Sequence, residues 1–330
     1  GLDDAELLAR TLNNLYISIW RPDNTDELLA ITEELLSLNN VSQDVEATAV
    51  LHRGPLLIKE GRFDRTSTDW TDRAAIAART RSPERLGQFE VQAATLSFID
   101  GRLDEASRRS EEAWARVQAS STWGTEWVYA LQQFMTRRER GDVEGIIDQI
   151  LMLSRRADLD VARPLALLAQ IEVGRLDEAR AMADAVPLTI RRDWAFDVVA
   201  AQWADVAVEL ESDHREPILD MITPLVDTIV VAGTLVACLG PMHQFVGRLK
   251  ASLGDHAAGT EHLRHAMETA RSLDAPVIEA RVAFHLADLQ VTYGGASGRL
   301  AAADVASRAL AQCVEVGMPA LARRLRSLDI

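Results

Sequence analysis

Three polar side chains recur at one phase of the sequence: His52, Gln92 and Gln132 each lie nine residues before a glycine, Gly61, Gly101 and Gly141. An imidazole and two carboxamides on one line form a ladder of donors and acceptors, suited to an extended peptide or a polar small molecule; they suit equally a place beside the core stripe, bonded to neighbouring backbone or water. Leu165 breaks the series in the fourth repeat. Gln202 and Gln244 extend it in looser phase, the second one residue out of step. Trp127 lies next to Gln132, with Trp123 and Tyr129 nearby. Aromatic rings with a polar handle suit a recognition surface. They equally suit packing between repeats, which is the reading we prefer for them and for Trp194 and Trp203.

Other residue groups bear on chemistry more weakly. His262 and His265, with Glu261 and Glu268, have the spacing of a helical metal site. The His-Glu-x-x-His arrangement is absent, and an exposed polar helix face accounts for the same residues, so we expect no metal. Gly294-Gly295-Ala296-Ser297-Gly298 is glycine-rich, but phosphate loops follow a strand and the residues before it read as helix. We expect a flexible loop between helices. The sequence has no Gly-x-x-x-x-Gly-Lys-Ser/Thr loop, no nucleophile elbow and no spacing that marks a triad or carboxylate pair. We therefore assign no catalytic residue, expect no cofactor, and read a binding protein rather than an enzyme.

What must position the ladder is a repeat. Gly61-Arg62-Phe63-Asp64, Gly101-Arg102-Leu103-Asp104, Gly141-Asp142-Val143-Glu144, Gly174-Arg175-Leu176-Asp177 and Gly254-Asp255-His256-Ala257 carry glycines spaced by 40, 40, 33 and 80 residues. A hidden turn is expected near residue 214, and the next period lands on Gly294-Gly295. Each glycine would take the left-handed conformation that ends one helix, with an acidic residue capping or charging the start of the next. Leu51, Val91 and Leu131, with Gly54, Ala94 and Phe134, mark the buried stripe. Prolines such as Pro83, Pro164, Pro276 and Pro319 punctuate the helices. A lone hairpin cannot bury its apolar face, so stacked repeats must share a core. The fold expected is all-α: a TPR-like α-solenoid, a right-handed superhelix of helix-turn-helix repeats with a period of about 40 residues and roughly fourteen to seventeen helices. We read residues 1–330 as one repeat domain. Its opening at Gly1 directly in helix-like sequence suggests a part of a longer multidomain regulator. Thr228-Ile229-Val230-Val231-Ala232-Gly233-Thr234-Leu235-Val236 is rich in β-branched residues. With no evident second strand to pair with, it is expected to be a buried helix end and loop.

Composition narrows the partners. The net charge of −15 repels phosphate backbones and anionic lipid, so direct contact with nucleic acid or a membrane is not expected. Two cysteines, Cys238 and Cys313, give no disulfide framework, and a reduced cytoplasm is the simplest compartment. The longest apolar run is well short of the roughly 20 residues that span a bilayer.

Two stretches resemble a known class. One holds Val230-Val231-Ala232-Gly233, Cys238-Leu239-Gly240-Pro241, Gly247, Leu253-Gly254, His262-Leu263, Ala266, Leu273-Asp274-Ala275-Pro276 and Ala280-Arg281. The other holds Leu8-Ala9-Arg10-Thr11-Leu12-Asn13, Trp20-Arg21-Pro22-Asp23-Asn24 and Glu34-Leu35-Leu36. Together they resemble the C-terminal TPR-like region of large actinobacterial regulators of the STAND ATPase class, which includes LuxR-type and SARP-type transcription regulators and ATPase-linked nucleotide cyclases. The resemblance implies a sensor and protein-interaction region that controls an ATPase and an output domain of the same parent chain. Its ligand or partner would sit on the concave face. The alternative is a passive scaffold or homo-oligomerisation module with no small-molecule ligand.

Overall fold

The structure is a computed structural model that describes residues 2–64, 73–79, 82–118, 124–156, 158–185 and 187–330. Among these residues the chain forms seventeen α-helices and one β-hairpin. The first helices are α1 (Leu2–Ile19), α2 (Thr25–Ser37), α3 (Gln43–Lys59), α4 (Arg73–Arg79), α5 (Pro83–Ile99), α6 (Leu103–Val117) and α7 (Thr125–Arg140). They are followed by α8 (Ile147–Ser154), α9 (Arg163–Glu172), α10 (Leu176–Ala185), α11 (Phe196–Glu209) and α12 (Arg215–Ile222). After the strands β1 (Ile229–Ala232) and β2 (Ala237–Pro241) come α13 (Met242–Ser252), α14 (His256–Ser272), α15 (Pro276–Tyr293), α16 (Gly295–Val316) and α17 (Pro319–Arg326).

The turn signatures act as the sequence implies. Gly61, Gly101, Gly141, Gly174 and Gly254 all take positive φ, between 68° and 95°. The residue after each donates its N–H to the carbonyl five positions back, as in Arg102 to Ser97 at 2.8 Å and Asp255 to Lys250 at 2.9 Å. This closes the helix end by satisfying a carbonyl that the helix itself leaves bare. The hidden turn expected near residue 214 is present, at Glu211: Glu211 takes φ 55°, and Ser212 makes the same bond to Ala207. A side chain thus stands where the other repeats have glycine. Asp104, Glu105, Asp177 and Glu178 charge the first turns of α6 and α10, while Asp255 caps α14 by accepting from the Ala258 N–H. The glycine-rich segment is no flexible loop, because α16 begins at Gly295, directly after α15.

Buried apolar residues fall into a main core that runs from Ile58 to Leu325, a smaller cluster among α1, α2 and α3, and a third beneath α3, α4 and α5. Ala106, Ala113, Ala179 and Ala266 are all buried, as the close approach of adjacent helices requires. The superhelix is closed: α15 packs against α5, and α17 packs against α7.

The hairpin corrects the expectation for residues 228–236. Ile229–Ala232 is a strand, and its antiparallel partner is Ala237–Pro241, with a bulge between Val230 and Val231. Ala-Cys-Leu-Gly-Pro has little intrinsic preference for strand, and burial stabilises it here. Ile229, Val230, Ala232, Leu235, Ala237 and Cys238 are at most 1% exposed. The hairpin packs against α3, α5, α11, α13 and α14, so it fills the centre around which the helices close.

Candidate functional site

The predicted ladder holds this hairpin. The Gln92 side-chain amide donates to the Thr234 carbonyl at 2.7 Å and to the Leu51 carbonyl at 2.8 Å. One repeat later, Gln132 donates to Val236 at 3.0 Å and to Val91 at 2.8 Å, with Thr95 Oγ1 at 3.1 Å. Thr95 Oγ1 also donates to Val236. Each glutamine therefore ties the preceding first helix to the hairpin tip and supplies a donor to its carbonyls. An extended backbone does occupy the ladder, and it is the chain's own. His52, the first rung, instead stacks on Tyr16 with ring centroids 4.2 Å apart and lies 5.9 Å from Trp20. Burial, helped by Arg85, holds its imidazole down at about 3, so it is neutral. Its Nδ1 has no partner.

Gln202, on α11, and Gln244, on α13, line a chamber of about 50 Å³ that is partly open to solvent. Phe98, Phe134, Leu168, Leu239, Phe245 and Ile278 supply apolar wall; Glu139, Arg281 and His285 supply polar groups. Gln244 donates to Leu239 at 2.6 Å, which fixes its amide so that Oε1 is left over. The Oε1 atoms of both glutamines are buried without partners. Glu139, from α7 in the middle of the array, and Arg281, from α15 near its C-terminal end, form a buried ion pair across the closure. Both bonds, from Arg281 Nε at 3.0 Å and Nη2 at 2.5 Å, go to Glu139 Oε1. Glu139 Oε2 and Arg281 Nη1 are left without partners. Unpaired buried polar atoms are few in folded proteins, and four from four helices around one cavity make it the candidate site.

Around the chamber, charge is matched. Arg138 pairs with Glu172 and faces Asp205 at 4.0 Å; Arg248 pairs with Asp205 and with Glu209, and Arg324 lies 3.9 Å from Glu172. Burial raises the carboxyl of Glu172, but Arg138, Arg281 and Arg324 outweigh it and hold it near 2. Burial, with the arginines 248, 281, 324 and 138 around it, keeps His285 neutral. Cys238 also lines the chamber, where burial pushes its thiol up to about 12, so it is not a thiolate nucleophile. Gly240, at the bulged strand, takes φ 102°, and a Cβ there would lie 2.6 Å from Ile278 in the chamber wall. Only glycine lets the hairpin approach so closely.

The remaining candidates separate from this site. Trp127 is fully buried and meets Trp194 edge to face at 5.9 Å, so it packs the core; Trp203 is buried as well. Tyr129 stacks with Trp114, and Trp123 lies outside the described residues. His262 and His265 meet a third imidazole, His243, which the sequence reading missed because it lies on α13. His243 and His262 have their Nδ1 atoms 2.7 Å apart, and His243 stacks on His265. Among the described residues no three His, Cys, Asp or Glu side chains are placed to hold a metal ion. No helix among them is long and apolar enough to cross a membrane.

No protein-family model matches the chain, and no curated protein matches it. Among solved structures it is similar to the crystal structure of a Rap protein complexed with competence and sporulation factor, with 11% sequence identity. That alignment covers 99% of this chain and 81% of the other, with a TM-score of 0.47.

Proposed function

We propose that this chain is the effector-binding repeat domain of a cytoplasmic ATPase-linked transcriptional regulator. In this reading a ligand enters the central chamber and thereby sets the state of the ATPase and output domains on the same parent chain. The observation that carries it is the chamber, where Gln202, Gln244, Glu139 and Arg281 leave buried polar atoms unpaired. The site is also where sensing would be mechanically effective, since Glu139 and Arg281 join a helix from the middle of the array to one near its C-terminal end. A ligand shifts a switch only by binding one arrangement more tightly. One that completes the bonds across this seam favours the closed superhelix. The neighbouring domains would read the change in curvature, which a repeat array makes at modest cost. The domain itself performs no chemistry in this reading.

Thermal unfolding with a panel of cell metabolites and peptides tests the reading, because a ligand that binds only the folded state raises the transition by mass action. A shift that disappears in Gln202→Ala, with the fold retained, supports the chamber. A panel without any hit, or a hit indifferent to Gln202, sinks it. A second reading, self-association, is favoured by the exposed leucines Leu7, Leu8 and Leu15 along α1. Light scattering that gives a concentration-independent monomer would remove it.

A further inference from the structure

Resting on the reading of the chamber as an effector site, we infer that its ligand is an uncharged small molecule with an apolar body and a carboxamide-like group, carrying N–H donors beside a carbonyl acceptor. The half-used ion pair specifies the polar group. Arg281 places both of its bonds on one oxygen of Glu139, leaving Glu139 Oε2 as an acceptor and Arg281 Nη1 as a donor. A carboxamide answers both: its N–H donates to Oε2 and its carbonyl accepts from Nη1. Its second N–H then has Gln202 Oε1 or Gln244 Oε1 as an acceptor, each buried and unpaired in the same chamber.

Charge balance excludes ions. The arginines nearest the chamber, 138, 248, 281 and 324, each face a carboxylate already, from Glu172, Asp205, Glu209 or Glu139. An anionic or phosphorylated ligand would have to compete with these partners in a buried site, and a cation would need a carboxylate that is free. Either would bring in a charge with no counter-charge to meet it. The phenylalanine, leucine and isoleucine walls instead take an apolar body. The hairpin already fills the ladder and leaves an extended peptide no place there.

Four probes of one shape test the class by isothermal titration and saturation-transfer NMR on the whole chain: phenylacetamide, N,N-dimethylphenylacetamide, phenylacetate and phenethylammonium. Phenylacetamide is expected to bind, with the dimethyl amide and both ions weaker by about ten-fold or more, as for a site that rejects analogues lacking its hydrogen bonds. Gln202→Leu combined with Gln244→Leu should weaken phenylacetamide and leave the dimethyl amide unchanged. Equal binding of the two amides, or preferred binding of either ion, overturns the inference while leaving the chamber an effector site. Failure of all four probes overturns the inference too, and the metabolite panel then decides separately whether the chamber binds anything.

Discussion

Gln92 and Gln132 at the hairpin tip, and Gln202 and Gln244 in the chamber wall, are the same side chain on helices of one repeat array, yet they do different work. The first pair commits its amide N–H groups to hairpin and helix carbonyls, and so clamps the centre of the molecule. The second pair lines a chamber and leaves its carbonyl oxygens unpaired beside an ion pair that uses one oxygen of two. Gln92 also keeps an unpaired Oε1, but it is not part of the chamber wall. Repeat phase therefore decides which way a side chain points. What it meets there is decided by the insertion in the middle of the array, and that separates a clamp from a site.

The largest effect should come from the seam of the chamber. Arg281→Ala leaves Glu139, 2% exposed, as an uncompensated charge, and should cost about 3–5 kcal/mol, read as a lowered thermal transition. Replacing both, Glu139→Leu with Arg281→Met, should recover most of the loss, because an apolar pair of similar volume avoids the desolvation of two ions. If Arg281→Ala were as stable as the native chain, the seam would not be closed and the contrast between clamp and chamber would lose one side.

On the clamp side, His52 gives a pH test with a definite sign. Its imidazole is held near 3 when folded, against about 6.5 when unfolded, so below 6.5 the unfolded chain takes up a proton that the folded chain refuses. Its contribution is fully present above pH 6.5 and is lost as pH falls toward 3, at about 1.4 kcal/mol per pH unit. Stability measured from pH 7 to 4.5 should therefore fall by about 2–3 kcal/mol more in the native chain than in His52→Phe, which keeps a ring against Tyr16. Parallel curves for the two proteins would mean that the first rung is open to water, unlike the rest of the clamp.

Much of this fold is written in local signals. Five glycines, three of them spaced by 40 residues, end helices through a backbone conformation that only glycine adopts cheaply, so each announces itself in the sequence. Glu211 holds the same conformation with a side chain, and the turn was therefore legible only as a gap in the period. The hairpin was legible by half. Ile229-Val230-Val231 reads as strand, whereas Ala237-Cys238-Leu239-Gly240-Pro241 becomes one by pairing with β1 and packing against four helices, among them the distant α5. The same limit applies to the site. Gln202 and Gln244 can be singled out by phase, but Glu139 and Arg281 lie 142 residues apart and meet only because the superhelix closes. No period along the chain encodes that meeting.

The smallest effect sets the two glutamine pairs against each other directly. Gln132→Ala removes a donor from the buried carbonyls of Val91 and Val236 and should cost about 2 kcal/mol, with faster hydrogen exchange at the hairpin turn, where the Val236 N–H bonds Ala232. Gln202→Leu removes a carboxamide whose oxygen has no partner, so its loss should be within about 0.5 kcal/mol of zero and could be a gain. The asymmetry follows from what each side chain leaves behind: two buried carbonyls that each lose a donor in one case, an apolar wall in the other. If Gln202→Leu cost as much as Gln132→Ala, its oxygen would have a structural partner in solution, and the chamber would be another part of the clamp. If both were neutral, the hairpin would be held by its apolar packing alone, and the ladder would be incidental to the closed form.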